Sequence, residues 1–165
     1  MANGMVYIYA GDGRGKSPAA IGRAVQAAVA GKNVVIIQFL KGRGLEDSDF
    51  LRRMEPEIKL FRFEKSDENF EQLPEEKKRE EIVNIKNGMN FAKKVLATGE
   101  CDLLILDEVL GLIEKEIITV EDLKNMLVCR EDTSVILTGI KLSDEICFLA
   151  DEISKIEMIK TVSKP

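Results

Sequence analysis

Apolar residues fall along the chain in short unbroken runs separated by longer polar or amphipathic stretches. Met5 to Tyr9 (MVYIY), Asn33 to Leu40 (NVVIIQFL), Asp102 to Leu106 (DLLIL) and Ser134 to Leu137 (SVIL) are such runs. They are too short for buried helices and read as parallel strands covered on both faces. Ile58 to Phe63 (IKLFRF) alternates, as a half-buried strand does, and a last strand is expected near Ile153 to Ile159. Between the strands, Ser17 to Ala30 is alanine-rich and predicts a helix closed by Gly31. From Pro74 to Thr98, Ile82, Ile85, Met89, Ala92 and Val95 form one stripe of a long amphipathic helix that Gly99 ends. Its opening, PEEKKREE, reads as a solvated helix start. Thr119 with Asp122 forms a capping box for a helix from Val120 to Val128, and a short helix is expected near Ser143 to Ala150. Gly42 to Glu57 and Glu64 to Gln72 are polar and predict active-site loops. The alternation predicts one α/β domain over residues 1–165, with a mostly parallel sheet and helices on both faces.

Composition narrows the function classes. Of 165 residues, 45% are hydrophobic and 32% charged, the balance of a chain that buries its own core. The longest uncharged apolar stretch, Val34 to Leu40, is far short of a bilayer span, and the N-terminus lacks a signal peptide's basic and apolar regions. A cytoplasmic protein with no membrane partner is expected. Cys101, Cys129 and Cys147 lack metal-ligand spacing and read as packed thiols. Histidine is absent, which removes Cys/His zinc sites, Ser-His and Cys-His nucleophile pairs and imidazole acid/base chemistry. The net charge of −5 argues against nucleic acid as a partner. Yet residues 1–44 carry six basic side chains and one acid, which points to a local site for a small polyanion.

The main chemical motif is Ala10-Gly11-Asp12-Gly13-Arg14-Gly15-Lys16-Ser17, between the first strand and the first helix. It is a P-loop of the G-x-x-x-x-G-K-[ST] type with alanine in the first slot. Its glycines let the backbone curl with N–H groups turned inward as an anion nest at a helix N-terminus. Lys16 can reach terminal phosphates, and the Ser17 hydroxyl suits Mg²⁺. Asp107 and Glu108, at the end of an apolar strand, stand where a P-loop protein places its Mg²⁺ carboxylate. Thr138 and Gly139 end the next strand and either line the same edge or merely terminate it. Lys41, after the second strand, is either a phosphate contact or a solvated strand-end lysine.

The order YAGDGRGKS, VVIIQFLKG, LLILDEV, VILTG and LADEISKIEMIK resembles the corrinoid adenosyltransferase family of the cobalamin-salvage type, from Val6 to about Lys160. The resemblance implies a RecA-like P-loop NTPase fold, a homodimer, and transfer of the 5′-deoxyadenosyl group of ATP to the cobalt of a reduced corrinoid. ATP, Mg²⁺ and a corrinoid would then be the small-molecule partners, a reductase would supply the cob(I) state, and tripolyphosphate would leave. Carried over by position, Gly11, Asp12, Gly13, Arg14, Gly15, Lys16 and Ser17 would hold the phosphates, with Lys41 and Thr138 nearby. Ser17, Asp107 and Glu108 would hold the metal, and Lys16 and Glu108 would be the catalytic residues. Against the family pattern, Asp12 stands for asparagine, Arg14 for lysine and Pro18 for threonine. Tryptophan is missing after Phe63, which leaves Phe61, Phe63 or Phe70 to face a corrin. Thr161 to Pro165 replaces a tail that in the family contains histidine. The alternatives are another P-loop ATPase or kinase, or a non-catalytic member that binds ATP or a corrinoid.

Overall fold

The structure, a computed structural model, describes residues 4–40 and 52–162. Its elements in chain order are β1 (Val6–Ala10), α1 (Lys16–Val29), β2 (Val34–Gln38), β3 (Ile58–Arg62), a 3-10 turn (Phe70–Gln72) and α2 (Glu75–Thr98). There follow β4 (Leu103–Asp107), α3 (Val109–Glu114), α4 (Val120–Leu127), β5 (Ser134–Gly139), α5 (Asp144–Cys147) and β6 (Glu152–Lys155). The strands form one six-stranded sheet in the order β3-β2-β4-β5-β1-β6, and every pairing is parallel.

Burial explains why the strand sequences read as continuous apolar runs. Every residue of β2 and β4 is buried, because helices cover both faces. On one face Ala20 and Ala24 of α1 pack on Val34, Ile36, Ile58, Leu103, Ile105 and Ile136. Alanines at that spacing let the helix approach closely. On the other face α2, α3, α4 and α5 bury Ile85, Met89, Ala92, Val95, Leu112, Leu123 and Ile146 against Val35, Ile37, Leu104, Leu106 and Val135. Each fully buried aliphatic side chain contributes about 1.5–3 kcal/mol.

Caps fix the helix ends as the sequence predicts in three places. Gly31 and Gly99 take left-handed φ values of +81° and +65° after α1 and α2. Thr119 and Asp122 close a reciprocal capping box on α4. One element is not predicted and one boundary differs. The helix Val109–Glu114 is not legible in the apolar periodicity, since its residues are buried on nearly all sides. The last strand ends at Lys155, not Ile159, because from Glu157 onward the chain is exposed. The predicted loop Gly42 to Glu57 lies mainly outside the described residues. No described helix is long and apolar enough to cross a membrane.

Candidate nucleotide site

The parallel topology brings the P-loop, the strand-end acids and Thr138 to one edge. The chain leaves β1 in the interior of the sheet and crosses over β5 and β4 to reach β2, so α1 lies above those strands. The carboxyl edge at such a switch in strand order is where open α/β sheets bind ligands.

Lys16 is the first residue of α1 and is buried, its Nζ 3.4 Å from Gly13 O. An ammonium held among backbone atoms by one long bond to a carbonyl is poised for a stronger anionic partner. Ser17 Oγ donates to Asp107 Oδ1 at 2.8 Å, and Thr138 Oγ1 donates to the same oxygen at 2.7 Å. Thr138 Oγ1 also accepts the Glu108 N–H at 2.8 Å, which fixes the direction of its own proton toward Asp107. Asp107 is thus locked between two hydroxyls at the N-terminus of α1. All three donors are hard oxygens, and no group of three metal-ligating Cys, Asp or Glu side chains occurs among the described residues. That set fits Mg²⁺, which takes one or two protein oxygens together with substrate phosphates, and does not fit a softer metal.

Two non-glycine residues at neighbouring strand ends are left-handed. Leu40 has φ +60° and Glu108 has φ +64°. Each conformation costs on the order of 1–2 kcal/mol, and each amide is gripped by a side chain: Leu40 N–H by Glu64 Oε1 at 2.7 Å, Glu108 N–H by Thr138. The Glu108 carboxylate turns toward α3, where Oε2 lies 3.9 Å from a Cβ built on Gly111. The Ser17 hydroxyl is bonded to Asp107. Asp12 and Arg14 are exposed at the loop rim, and Lys41 lies outside the described residues.

Several expectations need correction. The predicted inward nest of amides is partly committed elsewhere: Gly11 N–H donates to Gly139 O and Gly13 N–H to Ile156 O. Gly139 neither lines the site nor merely ends β5. A Cβ there would stand 2.3 Å from Leu110 Cβ, so glycine lets α3 pack on β5. Glu81, the last residue of PEEKKREE, is buried, not solvated. It accepts the amides of Lys65 and Ser66 at 3.0 and 3.4 Å and the Asn84 carboxamide at 3.0 Å, tying the loop after β3 to α2. Phe61 and Phe63 pack on Phe91 with tilted rings, centroids 4.8 and 5.5 Å apart, and Phe70 lies under the Lys78 ammonium.

Sequence reasoning missed a polar row across the sheet edge. Gln38 pairs in register with both Arg62 and Asp107, and all three side chains are buried. The signal was one glutamine inside an otherwise apolar run. Glu64 was also missed. Burial raises its carboxyl above the ordinary range and Glu81 adds to the shift, while the Leu40 amide and Arg62 oppose it. Two surface concavities lie away from these residues. One of about 390 Å³ sits between α2 and α4, lined by Lys86, Met89, Lys93 and Met126; another of about 460 Å³ lies by Pro56, Phe61, Phe91 and Cys101. The bonding chemistry marks the site, since a phosphate nest is built of converging backbone amides.

The fold is similar to that of the KaiC-like protein PH0186 of Pyrococcus horikoshii OT3, with a TM-score of 0.58 and 19% identity, covering 96% of this chain and 75% of that one. At that identity the likeness establishes the α/β fold alone. The corrinoid adenosyltransferase of Escherichia coli K12 is 27% identical over 158 residues, 95% of this chain and 78% of that protein. Corrinoid adenosyltransferase CobA of Salmonella typhimurium LT2 is 28% identical over the same shares. The family model described as ATP:corrinoid adenosyltransferase BtuR/CobO/CobP matches residues 2–164, and with a P-loop, an Asp107 locked to Ser17 and this coverage, the chain belongs to that family.

Proposed function

We propose that the chain carries out its family's reaction, adenosyl transfer from ATP to a corrinoid, at the carboxyl edge of β1, β4 and β5. The observation that carries this reading is the Ser17–Asp107–Thr138 hydrogen-bonded set beside the buried Lys16. Lys16 and the first amides of α1 take the triphosphate, and Ser17 and Asp107 hold Mg²⁺, with Glu108 beside them. When bound, the metal neutralises phosphate charge. The reduced cobalt of the corrinoid supplies the electron pair that forms the Co–C bond to ribose C5′. The C5′–O bond breaks, and its electrons leave with tripolyphosphate. No proton transfer is required, which accords with a chain that has no histidine. The protein's electrostatic task is to stabilise a leaving polyanion. Lys41, Asp12 and Arg14 stand in sequence where they can meet the nucleotide or the corrinoid. The reading extends to a cytoplasmic, one-domain protein that works as a homodimer and receives cob(I) from a reductase.

Mixing the protein with ATP, Mg²⁺ and chemically reduced cobalamin should give a light-sensitive cobalt–carbon product and one tripolyphosphate per adenosyl group. Release of ADP and phosphate would assign the site to another P-loop ATPase or kinase. One observation favours a second reading, a family member that binds ATP without transfer: Phe61 and Phe63 are engaged with Phe91. Tight ATP binding with no product from any corrinoid would establish it.

A further inference from the structure

The phosphate loop is bonded by the chain that follows β6. Ile156 N–H donates to Ala10 O at 2.8 Å, and Ile156 O accepts the Gly13 N–H at 3.1 Å. A Cβ on Gly11 would stand 2.4 Å from Ile156 O, and one on Gly13 would stand 2.7 Å from Ile156 Cγ2. A Cβ on Gly15 would meet the same methyl at 3.3 Å. The loop glycines therefore serve a second purpose besides phosphate approach. With Ile156 in place, no side chain fits at residue 11 or residue 13.

An N–H group has one strong direction, so the amide that Gly13 gives to Ile156 O is not given to a phosphate oxygen. The carbonyl of Gly13 is engaged as well, by the Lys16 ammonium at 3.4 Å. Both polar groups of Gly13 are thus held inside the protein, and a phosphate chain that draws Lys16 toward itself releases one of them. Residues 156–162 have no regular structure and expose Met158, Ile159 and Val162, so little packing opposes their departure.

We propose that Ile156 is a positioning residue that holds the phosphate loop in a closed shape, and that a bound phosphate chain takes the Gly13 N–H from it and frees residues 156–162. This rests on the triphosphate reading of the loop given above. Binding and strap release are then linked: whatever loosens Ile156 raises the fraction of loops ready for phosphate and tightens binding, and phosphate in turn loosens Ile156.

Amide hydrogen exchange on the full chain, with and without saturating tripolyphosphate and Mg²⁺, tests it. Exchange at the Ile156 amide, bonded to Ala10 O, is expected to speed up about tenfold on binding while residues 14–17 become protected. Ile156→Gly is expected to bind tripolyphosphate about three- to tenfold more tightly. Unchanged or greater protection of the Ile156 amide, or weaker binding by Ile156→Gly, would show that Ile156 is a fixed scaffold and overturn the proposal. If the wild-type protein binds neither tripolyphosphate nor ATP, the triphosphate reading fails and the strap fails with it.

Discussion

Lys16, Ser17, Asp107 and Thr138 form a unit whose value lies in how each constrains the next. Thr138 can donate to Asp107 because its lone pair is taken by the Glu108 amide, and Asp107 Oδ1 in turn orients Ser17. Replacing Lys16 by alanine removes a charge-assisted phosphate contact and should weaken ATP binding by roughly 1.5–3 kcal/mol in a calorimetric titration. An unchanged affinity would remove the P-loop from the mechanism. Glu64 makes a prediction about pH. Burial raises its carboxyl, so the folded protein binds that proton more readily than the unfolded chain. Its contribution to stability is full below the unfolded value and is lost as pH rises through the raised folded one. Glu64→Gln keeps an oxygen for the Leu40 amide and discards the buried charge. It should be more stable than wild type at pH 7 in urea unfolding, with the advantage shrinking as pH falls through the carboxyl's range. An advantage equal at pH 7 and pH 4.5 would contradict the assignment.

Helix α2 shows how an element takes on a role that its own periodicity does not announce. Its apolar stripe packs on the sheet as the spacing of Ile85, Met89, Ala92 and Val95 dictates. Glu81, one turn before Ile85, looks solvated in sequence because charged neighbours surround it, yet it holds the loop that follows β3. Glu81→Ala leaves two partly buried amides without their acceptor and should cost about 1–3 kcal/mol in chemical denaturation. Helix α3 makes the opposite case, a short element set by contact. Its Leu110 sits where a Cβ on Gly139 would be, so Gly139→Ala should cost about 1–3 kcal/mol through overpacking and disturb Thr138 beside it. A melting temperature equal to wild type would show that α3 can withdraw without loss.

For the molecule as a whole, nucleotide binding and folding are one equilibrium. ATP with Mg²⁺ at about a hundred times its dissociation constant should add roughly 2.7 kcal/mol to stability. In a chain of this size that raises the melting temperature by about 5–10 °C. Lys16→Ala should lose half or more of the shift, while Leu106→Ala, fully buried in β4, should lower the baseline by about 2–5 kcal/mol and leave the shift in place. A nucleotide-independent melting temperature in the wild type would contradict the site. The all-parallel order β3-β2-β4-β5-β1-β6 makes most pairings distant in sequence, and it is this that gathers the P-loop, Asp107 and Thr138 from three separate strands.

The chain's own pattern determined the strands, the two longest helices, three caps and the P-loop, because each follows from local backbone preference and from which residues must leave water. The strand-end acids and Thr138 were legible for the same reason: a buried strand in a parallel sheet presents its last polar residues at the carboxyl edge. The burial of Glu81, the turn of Glu108 toward α3, the polar row through Gln38 and the grip of Ile156 on the phosphate loop were decided by tertiary structure alone. They depend on contacts between residues far apart in the chain, such as Gly13 with Ile156 and Gly139 with Leu110. Local sequence patterns carry no trace of such distances. Only packing the sheet and its helices together determines which amide meets which carbonyl.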